Sequence, residues 1–248
     1  MDKTAHLNAV KRNLDNPNLR PRDAASLIII DGSQGKPRVL IGRRHSKQKF
    51  VPNKYVFPGG RVELADSRLV LDDHLEHDEV RTLLHDMKGK ASAARARGLA
   101  LAAVRETFEE TGLVIGKSAA QPGESRSPAW QSYFAQGVTP QLSRLTFVAR
   151  AITPPRRPRR YDTRFFAVSA DDVVRSVGEG DGEFTELHWT TFEEAQLFDL
   201  HAMTRTVLDD LADRLDTDLR PRRDAPVPYY FSRNGLFLRE LIPPRGGS

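Results

Sequence analysis

Three glutamates lie close together near the middle of the sequence, in a stretch of strong helix formers from Leu99 to Leu113. Glu106, Glu109 and Glu110 are spaced at i, i+3 and i+4, which places their carboxylates on one face of a helix. Like charges repel at that spacing, and a hard cation such as Mg²⁺, which prefers oxygen ligands, would relieve the repulsion. The pattern favours a divalent metal site over the plainer alternative, a solvated acidic helix face.

The residues around the glutamates suit a helix that presents a metal site. Arg105 stands beside Glu106 and four residues before Glu109, where its planar fork can hold a carboxylate in place. Gly112 lies where a helix C-terminal cap belongs. An apolar stripe on the same segment predicts that the helix packs onto a sheet.

A glycine turn upstream belongs to the same pattern. Gly60 and the segment Arg105–Leu113 together resemble the Nudix box, which reads Gly, five residues, Glu, seven residues, Arg-Glu-apolar-x-Glu-Glu-x-Gly-apolar. Every charged and glycine position of the second half matches, and Thr107 replaces an apolar residue. Gly60 precedes Arg105 by 45 positions instead of 14, so 31 residues are inserted inside the box.

The insertion leaves the first glutamate of the box undecided. Counted forward from Gly60, that position falls on Asp66, and counted back from Arg105 it falls on Arg97. The first carboxylate of the box is therefore either shortened to Asp66 or missing.

A long insert at this point resembles the Nudix branch that includes peroxisomal coenzyme A diphosphatases. Arg43–Gly60 resembles that branch's entry into the box, and Ile152–Phe166 resembles a later strand pair. The resemblance extends over residues 22 to 200. It implies an α/β fold, the Nudix α/β/α sandwich with a mixed sheet and a helical insert inside the box.

The resemblance also implies hydrolysis of a nucleoside diphosphate linked to another group, coenzyme A or its derivatives first, then NADH or ADP-ribose. Mg²⁺ or Mn²⁺ would be held by Glu106, Glu109, Glu110 and the Gly60 carbonyl. Arg105 would orient the carboxylates, and Glu106 would double as general base. The alternatives are a Nudix module that senses a nucleotide without cleaving it, and an RNA-directed decapping-type hydrolase.

Basic residues beside these motifs are candidates for substrate binding. Arg43 and Arg44 follow a strand, and Lys54 adjoins the glycine turn. Residues 154–160 contain four arginines and three prolines, which excludes a helix or a central strand and predicts an extended loop. In this loop Arg159 and Arg160 could clamp phosphates, and Tyr161 could stack on a base. Ordinary solvated charge is the alternative for each.

Composition limits the class of protein. The 248 residues are 39% hydrophobic and carry a net charge of +5, which favours a globular protein with an anionic partner. The absence of cysteine excludes disulfides and thiolate metal sites. We expect a small-molecule nucleoside diphosphate derivative as partner, with no nucleic acid because no aromatic-interleaved basic patch is present. We expect no membrane and a cytoplasmic location, since no secretory signal or spanning segment is visible, and a homodimer remains open.

Three regions are expected along the chain: a tail over residues 1–22, a hydrolase domain over 23–220 with the insert at 61–97, and an extension over 221–248. Apolar runs predict a buried strand from Ala24 to Asp31 and a returning strand at Val39–Ile41. Periodicity predicts a second amphipathic helix from His201 to Leu215.

Two further expectations concern the surroundings of the box. The insert is expected to form an amphipathic helix from His77 to Met87 and to act as a flap at the substrate groove or as a subunit contact. Glu183 and Glu186 precede a later strand, and either could supply a base or an extra metal ligand, with surface charge as the alternative.

Overall fold

The computed structural model describes residues 4–9, 15–48, 51–178 and 180–243. Its helices are α1 (Ala5–Ala9), α2 (Leu64–Arg68), α3 (His77–Leu84), α4 (Ala93–Thr111), α5 (Pro128–Phe134), α6 (Phe192–Ala195) and α7 (Ala202–Ala212). None of the helices in these ranges is long and apolar enough to cross a bilayer.

The strands of the central sheet within these ranges are β1 (Arg22–Asp31), β2 (Arg38–Arg44), β3 (Tyr55–Val56), β4 (Gly59–Arg61), β8 (Thr146–Ile152), β9 (Tyr161–Ser169), β11 (Phe184–Thr191), β12 (Val227–Arg233) and β13 (Leu236–Ile242). These nine strands are arranged in the order β11-β2-β1-β9-β8-β12-β13, with β3 paired to β2 and β4 to β1. Short pairs are formed by β5 (Leu113–Ile115) with β10 (Val173–Ser176), and by β6 (Lys117–Ser118) with β7 (Val138–Thr139). Parallel pairing joins β1 to β9 and β8 to β12, so the sheet is mixed as predicted.

Both faces of the sheet are buried. Along β1, Leu27 and Ile29 belong to one apolar cluster and Ile28 and Ile30 to another, and all four are at most 3% exposed. The first cluster lies under α4, and the second contains the apolar residues of α7. Helices on both faces of a mixed sheet form the predicted α/β/α sandwich.

Helix α4 is longer than the sequence pattern indicates. It begins at Ala93 because the Ser92 hydroxyl accepts a hydrogen bond of 3.2 Å from the Arg95 N–H, an N-cap. It ends at Thr111, and Gly112 caps it with φ +70° as predicted. Glycine is needed there because a Cβ would lie 2.3 Å from the Gly178 carbonyl oxygen.

The inserted segment is built into the core, which corrects the expectation of a flap, and a subunit contact stays a prediction. Its apolar side chains lie in the same cluster as those of α4, and the buried ones are Leu69, Leu71, Leu75, Leu83 and Met87. Polar contacts hold it as well: Arg150 of β8 donates to the His85 carbonyl at 2.7 Å, and Glu79 accepts from the Phe147 N–H. The insert therefore covers apolar surface that would otherwise face water.

Both chain ends contribute to the packed structure. Strand β12 runs parallel to β8 inside the central sheet, and Tyr230 of β12 is fully buried. At the other end, Leu7 of α1 is 3% exposed and packs into the cluster around α7. Residues 1–3, 10–14 and 244–248 of the predicted tail and extension lie outside the described residues.

Candidate active site

The glycine turn and helix α4 meet as the box pattern requires. Strand β4 pairs with β1, with Gly60 opposite Ala25. A Cβ on Gly60 would lie 2.4 Å from the carboxyl carbon of Glu106, so a larger residue here would displace the Glu106 carboxylate. Beside it, the Gly59 N–H donates to Oε2 of Glu110 at 2.8 Å. The turn thus contacts two of the three predicted metal ligands across the insert.

Glu110 is a buried carboxylate surrounded by like charge. Its side chain is only 3% exposed. Burial raises the pKa of Glu110 well above its ordinary value, and the negative charges of Glu183 and Glu106 raise it further. The Gly59 N–H and the positive charge of Arg44 oppose this effect without cancelling it. The site is therefore short of positive charge at Glu110.

Glu106 and Glu109 share one side of the Arg105 guanidinium. Arg105 Nη1 donates to Oε1 of Glu106 at 2.9 Å and to Oε2 of Glu109 at 2.5 Å. Burial raises the pKa of Glu106 to about 7 in spite of Arg105, because the charges of Glu109 and Asp66 add to the desolvation. Glu109 is the more open residue, with 32% of its side chain exposed.

The other side of Arg105 is fixed by Asp66. Arg105 Nε donates to Oδ1 of Asp66 at 2.9 Å, and Nη2 donates to Oδ2 at 3.0 Å and to the Arg61 carbonyl at 2.9 Å. Burial lowers the pKa of Arg105, but the hydrogen bond to Asp66 and the nearby carboxylates raise it well above its ordinary value. The guanidinium is thus permanently charged and held at both edges of its plane.

Of the two positions that the sequence offered for the first acid, only Asp66 contacts Arg105. Asp66 is fully buried, whereas Arg97 donates to the Ser67 carbonyl at 3.2 Å. Two more donors complete the Asp66 carboxylate: the Glu63 N–H at 2.8 Å and Nε1 of Trp130 at 2.9 Å. Sequence analysis does not identify Trp130, because 64 residues separate it from Asp66 and no spacing rule links them.

Glu183 and Glu186 have different surroundings. Glu183 pairs with Arg44 at 2.6 Å, and its charge acts on Glu110. Glu186 accepts from Arg43 at 2.9 Å and from Tyr55 at 2.8 Å, and its contacts, with His188 first, lower its pKa to about 2. Glu186 lies in β11, and Glu183, just before that strand, is the one whose charge acts on the candidate site.

The arginines of the loop over residues 154–160 also differ in their surroundings. Arg160 donates to the carbonyls of Thr153 at 3.0 Å and Leu19 at 2.5 Å and to Asn18 Oδ1 at 3.0 Å, so its guanidinium ties the loop to the N-terminal segment. Arg159 is exposed, and Tyr161 begins β9 opposite Arg22. These contacts give Arg160 a structural role in place of the predicted phosphate clamp.

Another arginine of the loop, Arg157, acts on His201. His201 precedes α7, and its N–H donates to the Tyr55 carbonyl at 3.0 Å. Burial lowers the pKa of His201 to about 4, and the positive charges of Arg157, Lys54 and Arg44 contribute to the shift. Lys54 itself pairs with Asp199 at 2.5 Å. The structure thus gathers Arg44 and Lys54, two of the predicted substrate contacts, with Arg157.

Among the described residues, no three histidine, aspartate or glutamate side chains converge in the geometry of a metal site. The donor chemistry nevertheless fits a hard divalent cation, because Glu106, Glu109, Glu110 and the Gly60 carbonyl supply oxygen atoms only. Burial of Glu106 and Glu110 without full compensation is the observation that supports the fit. Added positive charge would remove the cost of holding both carboxylates ionised.

Comparisons with known proteins support the same family. No protein-family model matches the chain. A Caenorhabditis elegans protein named nudix hydrolase 7 is 31% identical over 179 residues, which are 68% of this chain and 50% of that protein. Acyl-coenzyme A diphosphatase NUDT19 of Gallus gallus is 25% identical over 240 residues, 73% of this chain and 64% of the relative. The chain spans about half to two thirds of the length of these relatives.

The fold comparison agrees. A Nudix hydrolase from Alicyclobacillus acidocaldarius superimposes with a TM-score of 0.56 and 24% identity, over 77% of this chain and 90% of that one. This likeness shows a common fold. With its α/β/α sandwich, its glycine turn against α4 and its sequence relatives, the chain is a member of the Nudix superfamily.

Proposed function

We propose that this chain is a divalent-metal-dependent diphosphatase that hydrolyses a nucleoside diphosphate linked to another group. The observation that carries this proposal is the buried carboxylate of Glu110 and the half-buried carboxylate of Glu106, held against the Gly59–Gly60 turn without enough positive charge around them. Such a site would bind Mg²⁺ or Mn²⁺, and the bound ion would bind the phosphates of the substrate.

Coenzyme A or an acyl derivative of it is the first choice of substrate. The similarity to an acyl-coenzyme A diphosphatase supports this choice, as does the long insert inside the box. Three basic side chains, Arg44, Lys54 and Arg157, lie close enough to His201 to lower its pKa, and they could receive phosphate groups. NADH and ADP-ribose share the diphosphate and are the next candidates.

The residues of the chain would prepare the reaction by position and charge. A divalent ion held by Glu106, Glu109, Glu110 and the Gly60 carbonyl would neutralise phosphate charge and make a bound water more acidic. Arg105 holds Glu106 and Glu109 in fixed orientations, and the Gly59 N–H does the same for Glu110. Glu106, which lies directly against the turn, would accept the proton of the attacking water.

A substrate panel tests this function. Coenzyme A, acetyl-coenzyme A, NADH and ADP-ribose are incubated with Mg²⁺ or Mn²⁺, and products are identified by mass spectrometry. We expect the diphosphate to be cleaved, and we expect a metal chelator to abolish this cleavage. In Glu109→Gln and Glu110→Gln, kcat should fall about a thousandfold. Glu193→Gln is the matched control, because Glu193 lies on the surface in α6, away from the site.

The alternatives give different results in the same panel. A sensing module binds one of these compounds in calorimetry and releases no product. A decapping-type hydrolase acts on capped RNA and leaves the panel uncut. Near-normal turnover in both glutamine variants on the true substrate would contradict the metal assignment.

A further inference from the structure

We propose that Trp130 is a positioning residue for the candidate metal site, acting through Asp66 and Arg105. The inference rests on the proposed function, because a metal site is what Trp130 would position. Its structural basis is a continuous chain of hydrogen bonds from α5 to the glutamates of α4. Trp130 Nε1 donates to Oδ1 of Asp66, Asp66 accepts two bonds from Arg105, and Arg105 Nη1 donates to Glu106 and Glu109.

The indole is held rigidly at its end of this line. Trp130 is fully buried in α5, with ring centroids 5.3 Å from Tyr133 and 5.6 Å from Phe134. The Tyr133 ring also lies edge-on to Phe108 of α4 at 5.3 Å, and its hydroxyl donates to the Ile115 carbonyl. An indole has a single N–H donor, and here Asp66 receives it.

The position of the Asp66 carboxylate decides the position of Arg105. Oδ1 receives both Trp130 Nε1 and Arg105 Nε, so the indole and the guanidinium share one oxygen. Without the indole donor, Oδ1 keeps only Arg105 Nε, while Oδ2 keeps the Glu63 N–H and Arg105 Nη2, so Oδ1 is the oxygen that can shift as the carboxylate turns about the Cβ–Cγ bond. Because the guanidinium is planar and rigid, a turn at Nε also moves Nη1, which holds Glu106 and Glu109.

Trp130 also joins two segments that the box itself does not connect. Asp66 belongs to α2, inside the insert, and Trp130 belongs to α5, after α4. Their hydrogen bond joins the insert to α5, which packs against α4. Supporting contacts of this kind commonly change metal affinity by about 10- to 100-fold when they are lost.

Two variants test the role of the indole N–H. Trp130→Phe keeps an aromatic ring and removes the donor, and Trp189→Phe is the matched control, since Trp189 is the other of the two tryptophans and is 39% exposed. If Trp130→Phe does not fold, β-(3-benzothienyl)alanine is incorporated in the Trp189→Phe background. That replaces only Trp130 and exchanges its N–H for sulfur at nearly constant shape.

The first readout uses the metal-free protein. Hydrogen exchange of the Arg105 Nε–H, followed by NMR, should become about tenfold faster when the indole donor is lost, and should not change in Trp189→Phe. The second readout is the Kd for Mn²⁺ from calorimetry, which should rise about tenfold. With the true substrate, kcat should fall while KM stays within twofold, because the substrate does not contact Trp130.

Arg105 exchange within twofold of the wild-type rate in the donor-free protein would overturn the inference. This result is distinct from failure of the proposed function, which would appear as a wild-type protein that binds no Mn²⁺ at Glu109 and Glu110. In that case the metal-free exchange measurement still decides whether Trp130 positions Arg105.

Discussion

The two faces of α4 bury carboxylates in opposite ways. On the insert side, Asp66 is fully buried and accepts N–H groups from Arg105, Trp130 and Glu63. On the side of the glycine turn, Glu110 is 3% exposed and accepts a hydrogen bond from the Gly59 N–H. Burial raises its pKa, and the negative charges of Glu183 and Glu106 raise it further. A carboxylate whose partners all come from the chain is structural, whereas one left short of positive charge is prepared for a cation from outside.

The basic residues repeat the contrast. Arg160 has acceptors in Thr153, Asn18 and Leu19. Around His201, by contrast, burial lowers the pKa and the charges of Arg157, Lys54 and Arg44 lower it further. The structure therefore uses Arg160 to tie the loop to the N-terminal segment, whereas Arg44 and Lys54 form ion pairs with Glu183 and Asp199.

The largest effect is expected from Asp66→Ala. This variant leaves the Arg105 guanidinium buried beside a cavity, and it should lower the free energy of unfolding by about 3 to 5 kcal/mol. Urea denaturation measures the change. Asp72→Ala, at an exposed position of the same insert, should stay within about 0.5 kcal/mol of the wild type. A loss below about 1 kcal/mol in Asp66→Ala would place Asp66 with the functional carboxylates.

Glu110→Gln should change the free energy of unfolding in the opposite direction. In chelator the variant should be more stable than the wild type by about 1 to 2 kcal/mol, because a neutral amide still accepts from the Gly59 N–H and carries no buried charge. Thermal unfolding in EDTA at pH 8 measures the gain, with Glu193→Gln as a neutral control. A destabilised Glu110→Gln would mean that the turn side is compensated as fully as the insert side.

A third test uses pH at the basic cluster. The pKa of His201 is about 4 in the folded chain and 6.5 in its ordinary state, so below pH 6.5 the unfolded chain binds the proton more readily. Stability from this group is therefore complete above pH 6.5 and declines as the pH falls toward 4. Between pH 7 and 5 we expect His201→Gln to remove about 1 to 2 kcal/mol of the wild-type decline. Parallel urea curves at the two pH values measure it, and identical declines would contradict it.

The smallest effect separates the loop arginines. Arg157→Ala should raise KM about fivefold with kcat nearly unchanged, because a phosphate contact mainly supplies uniform binding. Arg160→Ala should leave KM unchanged and lower the unfolding temperature, since it loses the bonds to Asn18 and Leu19. Steady-state kinetics on the substrate found in the panel, with calorimetric melting of both variants, distinguishes them. A larger KM effect at Arg160 would restore it as the phosphate contact.

Much of the fold and half of the site could be read from local pattern. Helix periodicity places three carboxylates on one face, and the glycine at position 112 ends the helix where predicted. Apolar runs mark β1 and β2, whose observed pairing of Ile30 with Val39 is the predicted hairpin. These features are decided within a few residues, by side-chain spacing and backbone conformation, so the sequence alone determines them.

The tertiary structure decided what long-range packing controls. Whether Asp66 or position 97 supplies the first acid depended on where 31 inserted residues fold back, and that fold is set by burial of Leu69, Leu83 and Met87. Trp130 reaches Asp66 across 64 residues, and Arg160 turns to the N-terminal segment instead of the site. The acids and bases look alike in sequence. Their roles differ because only the folded chain determines which charges its own donors and acceptors satisfy.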